Sequence, residues 1–366
     1  MSLPLIKARR LMFSALVAVV LAGVHCGNAL ALTCTPGVSF NTTTGFELGC
    51  ASPALWSILS VNQNLTSGAS APYLQFSNGG TNGIAGSTGN VGAYGGVKVT
   101  ADANATFVGN IIVQNTTPAT DTSLVNMTSP PNPTIVVDNA LLTQARADAL
   151  LAASQATALT ANQTITTNGG ITNATTINAT KSGLNVIKIT TGINLSGLSD
   201  ILTFNVNASL FSNVEFVVNV TGGNFNMASG AQVVLTGGST ADPFTYSDLL
   251  FNVQGAQYVA LSSSSQVGGI ILDVGGDVYM DHSTVYGEVI GGHNIGVWDS
   301  STVVNNTAQT STVISGCTAD AQGNLTCVIR TAPEPGTIAL LVLGLLGIFG
   351  ARMRRSGRPL STVVAA

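Results

Sequence analysis

The chain has 366 residues, 45% hydrophobic and 8% charged, and its 12 basic and 16 acidic side chains give a formal charge of −4. Between Leu32 and Ile329 only Lys98, Arg146, Lys181 and Lys188 are basic against fifteen acidic residues, a formal charge of −11. Such a surface cannot neutralise phosphates, which excludes nucleic-acid binding and attraction to anionic lipid headgroups.

At the amino end, Lys7, Arg9 and Arg10 precede an apolar run from Leu11 to Val24, and Ala29 to Ala31 supply small residues at cleavage spacing. This is the pattern of a secretory signal peptide over 1–31, removed by signal peptidase. His25 stands where a lipoprotein has a small residue before its cysteine, which disfavours lipid attachment at Cys26. Export puts the remaining Cys34, Cys50, Cys317 and Cys327 in an oxidising compartment. Four cysteines allow three connectivities. The two short spacings, each enclosing Gly or Asn turn residues, favour structural disulfides Cys34–Cys50 and Cys317–Cys327. No Cys-x-x-Cys and no neighbouring histidine supports a thiolate metal site.

The body 32–329 reads as one β-rich extracellular domain. It opens with a Gly-rich section in which Gly83, Gly86, Gly89, Gly92 and Gly95 recur every third residue. The stretch lacks the proline of collagen and the Lys-Ser or Lys-Thr end of a phosphate loop, so tight turning of a β-coil accounts for it best. Asn-x-Ser/Thr triplets begin at Asn104, Asn115 and Asn126; uncharged Asn and Thr suit the outer face of such a coil. After Pro130, Pro131 and Pro133 comes one helix at about 138–160, capped by Asp138 or Asn139. Leu141, Ala145, Ala149, Ala152 and Ala156 share one narrow face of it, suited to close packing on a sheet. From there on, short strands alternate apolar and polar residues, as in "ILTFNVN" and "VEFVVNV", with Gly pairs at Gly222, Gly237, Gly268, Gly275 and Gly291 between or beside many of them. The fold class is mainly β, solenoid-like, with one docked α-helix.

Candidates for chemistry are few. Asp273, Asp277 and Asp281 share a side by strand parity and, with Glu288, offer oxygen ligands for calcium. Residues four apart on a strand are about 13 Å distant, so one ion requires the chain to bend at Gly275 and Gly276; a solvated acidic edge explains the same residues without a metal. No metal and no cofactor is therefore assigned. His282 and His293 have no neighbouring nucleophile motif. A polysaccharide hydrolase needs paired carboxylates beside an aromatic cleft, for which only Trp56 and Trp298 are available as tryptophans.

The carboxyl end carries Pro333, Glu334 and Pro335 in a linker over 330–336, an uncharged apolar run over 337–351, then Arg352, Arg354, Arg355 and Arg358 in a basic tail over 352–366. The apolar run spans roughly 22 Å as a helix, so flanking residues must complete a transmembrane helix through about 30 Å of hydrocarbon. The arginines favour the cytoplasmic side. The segment resembles the PEP-CTERM sorting signal, also labelled an ice-binding-protein C-terminal domain; Ala332 in place of a common valine and the added "PLSTVVAA" depart from its pattern. The resemblance implies exosortase as a partner, cleavage near Pro333–Pro335, a membrane-anchored precursor, and delivery to the cell surface or exopolysaccharide of a bacterium with an outer membrane. A second resemblance, to the choice-of-anchor A domain, covers about 184–304 through "FVVNVTG", "LLFNVQGAQYVALSSSSQVGGIIL" and "STVYGEVIGG". It implies a β-rich extracellular domain of undefined chemistry. The layout of Gly-rich start, alanine helix and strand ladder is also similar to β-solenoid ice-binding domains.

Three functions follow in order of support: a non-enzymatic surface or matrix protein, an ice binder, and a polysaccharide hydrolase. Ice recognition needs a flat threonine array. The stretch containing Thr164 and Thr166 supplies threonines without a strict Thr-x-Thr repeat, and the strands starting at Ile201, Val214, Val233, Leu249 and Ile270 are unevenly spaced.

Overall fold

The computed structural model describes residues 34–61, 72–77, 85–95, 97–102, 105–114, 135–239, 242–255, 257–305, 317–319 and 325–327. The expected signal peptide 1–31, Pro333 to Pro335, the apolar run 337–351, the arginines after it, and Asn104, Asn115 and Asn126 lie outside them. Among the described residues no helix is long and apolar enough to cross a membrane. The chain forms two compact units, Met1–Thr307 and Ala308–Ala366. In the second unit Cys317–Ala319 pairs antiparallel with Leu325–Cys327, and the register sets Cys317 opposite Cys327.

The first unit is a parallel β-coil with three faces. Each turn gives one strand to each face, as Leu184–Ile189, Ile193–Leu195 and Ile201–Val206 do. The next turn repeats this with Glu215–Val220, Phe225–Met227 and Gln232–Gly237. The first and second faces belong to one 16-stranded sheet and the third is a 7-stranded sheet. Two long strands, Gln266–Asp273 and Thr284–Gly291, run from the second face into the first. They turn the corner at Gly269 (φ +134°) and Gly287 (φ +140°). A Cβ on Gly287 would lie 2.2 Å from the Gly269 carbonyl oxygen, so only glycine fits this crossing. Inside the coil, Phe204, Phe216, Phe225 and Phe251 pack edge-on or tilted at centroid distances of 4.9–5.7 Å, joining all three faces.

The coil is built out of sequence order. Residues 56–113 together with Ile135–Val137 form the turns at one end, α1 (Asn139–Ala158) carries the chain back, and residues 163–304 build from the other end until the two parts meet. They meet on all three faces: Ile58–Ser60 pairs with Val289–Gly291, Leu74–Ser77 with Ile295–Trp298, and Gly86–Ser87 with Thr302–Val303. The first face stacks ten strands, about 43 Å at strand spacing, and a helix of 20 residues covers about 30 Å of it. The turns are unequal: 31 residues separate Asn185 from Phe216 and 33 lead on to Leu249, but only 20 separate Leu250 from Ile270 and 18 Ile270 from Glu288. The uneven spacing noted in the sequence mixed strands of different faces. The extra residues leave at the corners, and the strands stay in register.

Asp138 caps α1, its Oδ1 accepting from Leu141 N at 2.9 Å, and the alanine face expected of it is buried. Ala145, Ala149, Ala152 and Ala156 share one apolar cluster with Val217, Leu250 and Ile270 from the outside of the first face. Small side chains bring the helix near enough for polar pins. Asn219 Nδ2 donates to Ala156 O at 2.7 Å, and Asn252 Nδ2 donates to Asn219 Oδ1 at 2.7 Å and to Ala153 O at 3.3 Å. Ala156 O lies in the last turn, where carbonyls lack helical partners, and Ala153 O takes the Asn252 amide in addition to Thr157 Oγ1 at 2.7 Å. In the middle, Asp148 Oδ2 accepts from Cys50 N at 2.8 Å, holding the loop closed by the Cys34–Cys50 disulfide.

Asn252→Leu keeps the volume and removes this donor, leaving the Ala153 carbonyl with Thr157 Oγ1 and Asn219 Oδ1 with Gln254 Nε2. We expect a loss of about 0.5–1.5 kcal/mol, seen as a lower midpoint in thermal unfolding, whereas Asn205→Leu on the exposed second face should change it little.

Candidate binding surface

The second face presents side chains in columns, because parallel in-register strands place equivalent positions about 4.8 Å apart. One column runs Asn178, Asn205, Thr236, joined by Asn205 Nδ2 to Asn178 Oδ1 at 2.8 Å and Thr236 Oγ1 to Asn205 Oδ1 at 3.0 Å. A second runs Thr176, Thr203, Val234. A third runs Ile201, Gln232, Gln266, Thr284, Thr302, Gly86, Thr106. Val234, Ile201 and Gln232 interrupt the threonines. Tyr246, from the short turn Tyr246–Asp248, occupies the space over Gly268 and stacks on Tyr286 at 5.6 Å. Thr164 and Thr166, the threonines singled out in the sequence, lie elsewhere. Thr164 pairs with Lys188 on the terminal strand of the first face, and Thr166 Oγ1 meets Thr190 Oγ1 at 2.9 Å.

The third face differs in chemistry. Its strands Val259–Ser262, Val278–Asp281, Ile295–Trp298, Tyr73–Ser77 and Lys98–Ala101 align Ala260, Tyr279, Gly296, Gln75 and Thr100 in one outward column. Ser262, Asp281, Trp298 and Ser77 form the next. Tyr279 and Trp298 lie nearly parallel, 22° apart, with centroids 5.3 Å from each other. Asp277 sits at the strand entrance, accepting from Tyr279 Oη at 2.8 Å and Asn294 N at 2.9 Å, with His293 Nδ1 at 2.6 Å. Burial raises the Asp277 carboxyl, but the Asn294 amide, the Tyr279 hydroxyl and the His293 ring together outweigh it and hold it below the ordinary carboxylate range. Burial, then the bond to Asp277, pushes the Tyr279 hydroxyl up.

The four calcium candidates are not gathered. The chain turns after Asp273, so this residue ends a first-face strand while Asp281 ends a third-face strand. Asp273 and Glu288 are fully buried, without a well-formed hydrogen bond. Burial pushes the Asp273 carboxyl up to about 8 against the pull of the Gly276 and Gly275 amides, and pushes Glu288 well above its ordinary value. Asp281 instead meets His282 and Asp299, with ligand atoms all within 4.8 Å. A ring nitrogen with two carboxylates is not the all-oxygen set calcium prefers. Among the described residues this is the one gathering of three such groups. His282 (φ +51°) occupies a left-handed turn beside Asp281, and His293 is half-buried against Asp277. The sequence also gave no hint of Glu215, which accepts from Phe46 N at 2.6 Å beside a hollow of about 420 Å³ lined by Thr43, Asp242 and Asp248. Burial pushes Glu215 up to about 8, opposed by the Phe46 amide and reinforced by Asp248 and Glu47.

Fold and faces together define a rigid parallel β-coil that displays side-chain arrays on broad sheets. The chain belongs to the family described as "Putative Ice-binding-like adhesive domain", whose model matches residues 58–297. That match begins well before Leu184, where the choice-of-anchor A resemblance starts. A model of the PEP-CTERM protein-sorting motif matches residues 331–355. The two matches indicate an exported cell-surface protein, and the motif implies processing by an exosortase. A comparison with curated proteins finds no match. Among solved structures, the chain is similar to an ice-binding protein from the Antarctic ascomycete Antarctomyces psychrotrophicus, at 17% identity, covering 72% of this chain and 98% of that one, TM-score 0.42. It is similar to an ice-binding protein from an Antarctic biological consortium at 16% identity, covering 74% and 94%, TM-score 0.42. A third is LeIBP, an ice-binding protein from an Arctic yeast, at 20% identity, covering 72% and 95%, TM-score 0.41.

The buried carboxyls set a pH dependence. Glu215 and Asp273 keep their protons in the folded chain up to about pH 8, and burial holds the Glu288 proton well above its ordinary range, while the unfolded chain releases all three near pH 4. Across that window the folded state binds more protons, so stability falls as pH rises; the depressed Asp277 acts oppositely only below the window. The thermal midpoint should be higher at pH 5 than at pH 8, and Glu288→Gln and Asp273→Asn should each narrow the gap. Equal midpoints would show that these groups ionise without cost inside the fold.

Proposed function

We propose that the chain is an exported, non-enzymatic protein of the cell surface or exopolysaccharide matrix, made as a membrane-anchored precursor in a bacterium with an outer membrane. The sorting-motif match over 331–355 carries this reading. An ice-binding-like adhesive domain precedes it, and neither matched family is described by an enzymatic activity. The pinned helix and the filled phenylalanine core suit a domain that must stay folded outside the cell. Signal peptidase acts after Ala31, and 337–351 holds the precursor in the membrane until exosortase cuts. Mass spectrometry of the surface or secreted form should find a chain starting at Leu32 and ending near Pro335. A mature protein that retains Phe349 and the arginines would replace sorting by simple anchoring.

A second reading, ice binding, is favoured by the Thr and Asn columns of the second face, where Thr176, Thr203 and the Asn178–Asn205–Thr236 ladder lie in register. The interruptions at Ile201, Gln232 and Val234 and the Tyr246–Tyr286 stack work against a lattice match over many contacts. Purified Leu32 to Ile329 should accordingly show no thermal hysteresis and leave ice crystals unshaped. Faceted crystals at micromolar protein, abolished by Thr203→Tyr, would establish the second reading instead.

A further inference from the structure

Aromatic residues are scarce in this chain, 5% of the total, and their placement is uneven. Most of the phenylalanines described fill the interior. Of the six tyrosines and two tryptophans, Tyr73, Tyr258, Tyr279 and Trp298 stand on or at the edge of the third face, and Trp56 is fully buried. Trp298 lies across Gly296, where an added Cβ would come within 2.5 Å of Cζ2. Glycine at this position leaves the indole room to stack on Tyr279, and the pair makes an aromatic shelf whose facing ring surfaces cover one another.

We infer that this shelf binds a neutral glycan, seating a pyranose ring against the aromatic surface that the Tyr279–Trp298 stack leaves exposed. The apolar C–H face of a sugar ring matches an aromatic face, and its hydroxyls need fixed acceptors and donors at the rim. Asp277 provides acceptor oxygens on one side, fixed by Asn294 N and beside the His293 ring. On the other side Asp281 and His282 are both about half exposed, at 49% and 46% of their side-chain surface. Charge selects among ligands that stack on aromatics. Asp277, Asp281 and Asp299 repel phosphate and uronate groups, which rules out nucleic acid and acidic polysaccharide. The site is an open face instead of an enclosed cavity, so it suits a polymer strand lying along the sheet, bound weakly per ring and more firmly through many copies at a surface. The inference rests on the surface-protein reading for where such a polymer is met, but its chemistry is tested on purified protein, so its failure leaves the processing experiment intact.

The test uses the full-length chain in detergent, run in native gels containing soluble β-glucan, dextran, galactomannan or alginate. At least one neutral polymer should retard the protein, and alginate should not. Because Trp56 is buried, a fluorescence change on titrating that polymer reports Trp298 in the unaltered protein, and this reading needs no variant. Trp298→Ala and Tyr279→Ala should each weaken binding at least tenfold, and Gly296→Val, which displaces the indole, should act in the same direction, while Tyr246→Ala on the second face should not. Retardation by none of the neutral polymers, equal retardation by alginate, an unchanged Trp298 signal, or full binding by the Trp298→Ala protein would each overturn the assignment.

Discussion

The domain depends on backbone pairing between segments more than two hundred residues apart in sequence: Ile58–Ser60 with Val289–Gly291, and its counterparts on the other two faces. Each of the two parts joined there would alone expose an open strand edge, which a parallel coil cannot tolerate without pairing to something. The join is reinforced by side chains at the corner. Asn305 Nδ2 donates to Pro53 O at 2.7 Å and Trp56 O at 2.8 Å, and Trp56 Nε1 donates to Cys50 O at 2.7 Å. Such distant contacts form late, because the loop entropy must be overcome before any of them is rewarded. The aromatic shelf lies beside this seam, since Trp298 pairs with Ser77 from the other part of the chain.

Two kinds of buried polar group coexist. Those between helix and sheet are fully used: Asn219, Asn252 and Asp148 each meet backbone groups of the opposing layer and so fix where α1 sits. Asp273 and Glu288, on strands next to the seam, have no comparable partner and stay protonated because ionisation in that environment is too costly. The same region therefore combines the pairing of distant backbone segments with two pH-sensitive side chains.

Local features were legible in the sequence. The Asp138 cap and the alanine face of α1 follow from helical periodicity, and alternation in "ILTFNVN" reads correctly because the second face has solvent on one side. The first-face strand "LLFNV" is buried on both sides, by the core within and by the helix or neighbouring chain outside, so unlike "VEFVVNV" on the same face it lacks alternation and reads only as an apolar run. The spatial order of strands was not legible, because parallel pairing joins residues whose separation in sequence varies from turn to turn. For the same reason Trp298 could be counted but not seen beside Tyr279, and the parity that aligned Asp273 with Asp281 failed where the chain turns a corner at Gly275 and Gly276.

The strand Thr302–Val304, the last of the first unit, leaves from the interior of the stack, with Thr284–Tyr286 on one side and Gly86–Ser87 on the other. A pull on the chain beyond Asn305 therefore does not meet a terminal turn that could be peeled off one hydrogen bond at a time. It loads a strand held along both edges, with Asn305 itself fastened to Pro53 and Trp56. Force entering there acts on this strand in shear, a consequence of the out-of-order winding of the coil.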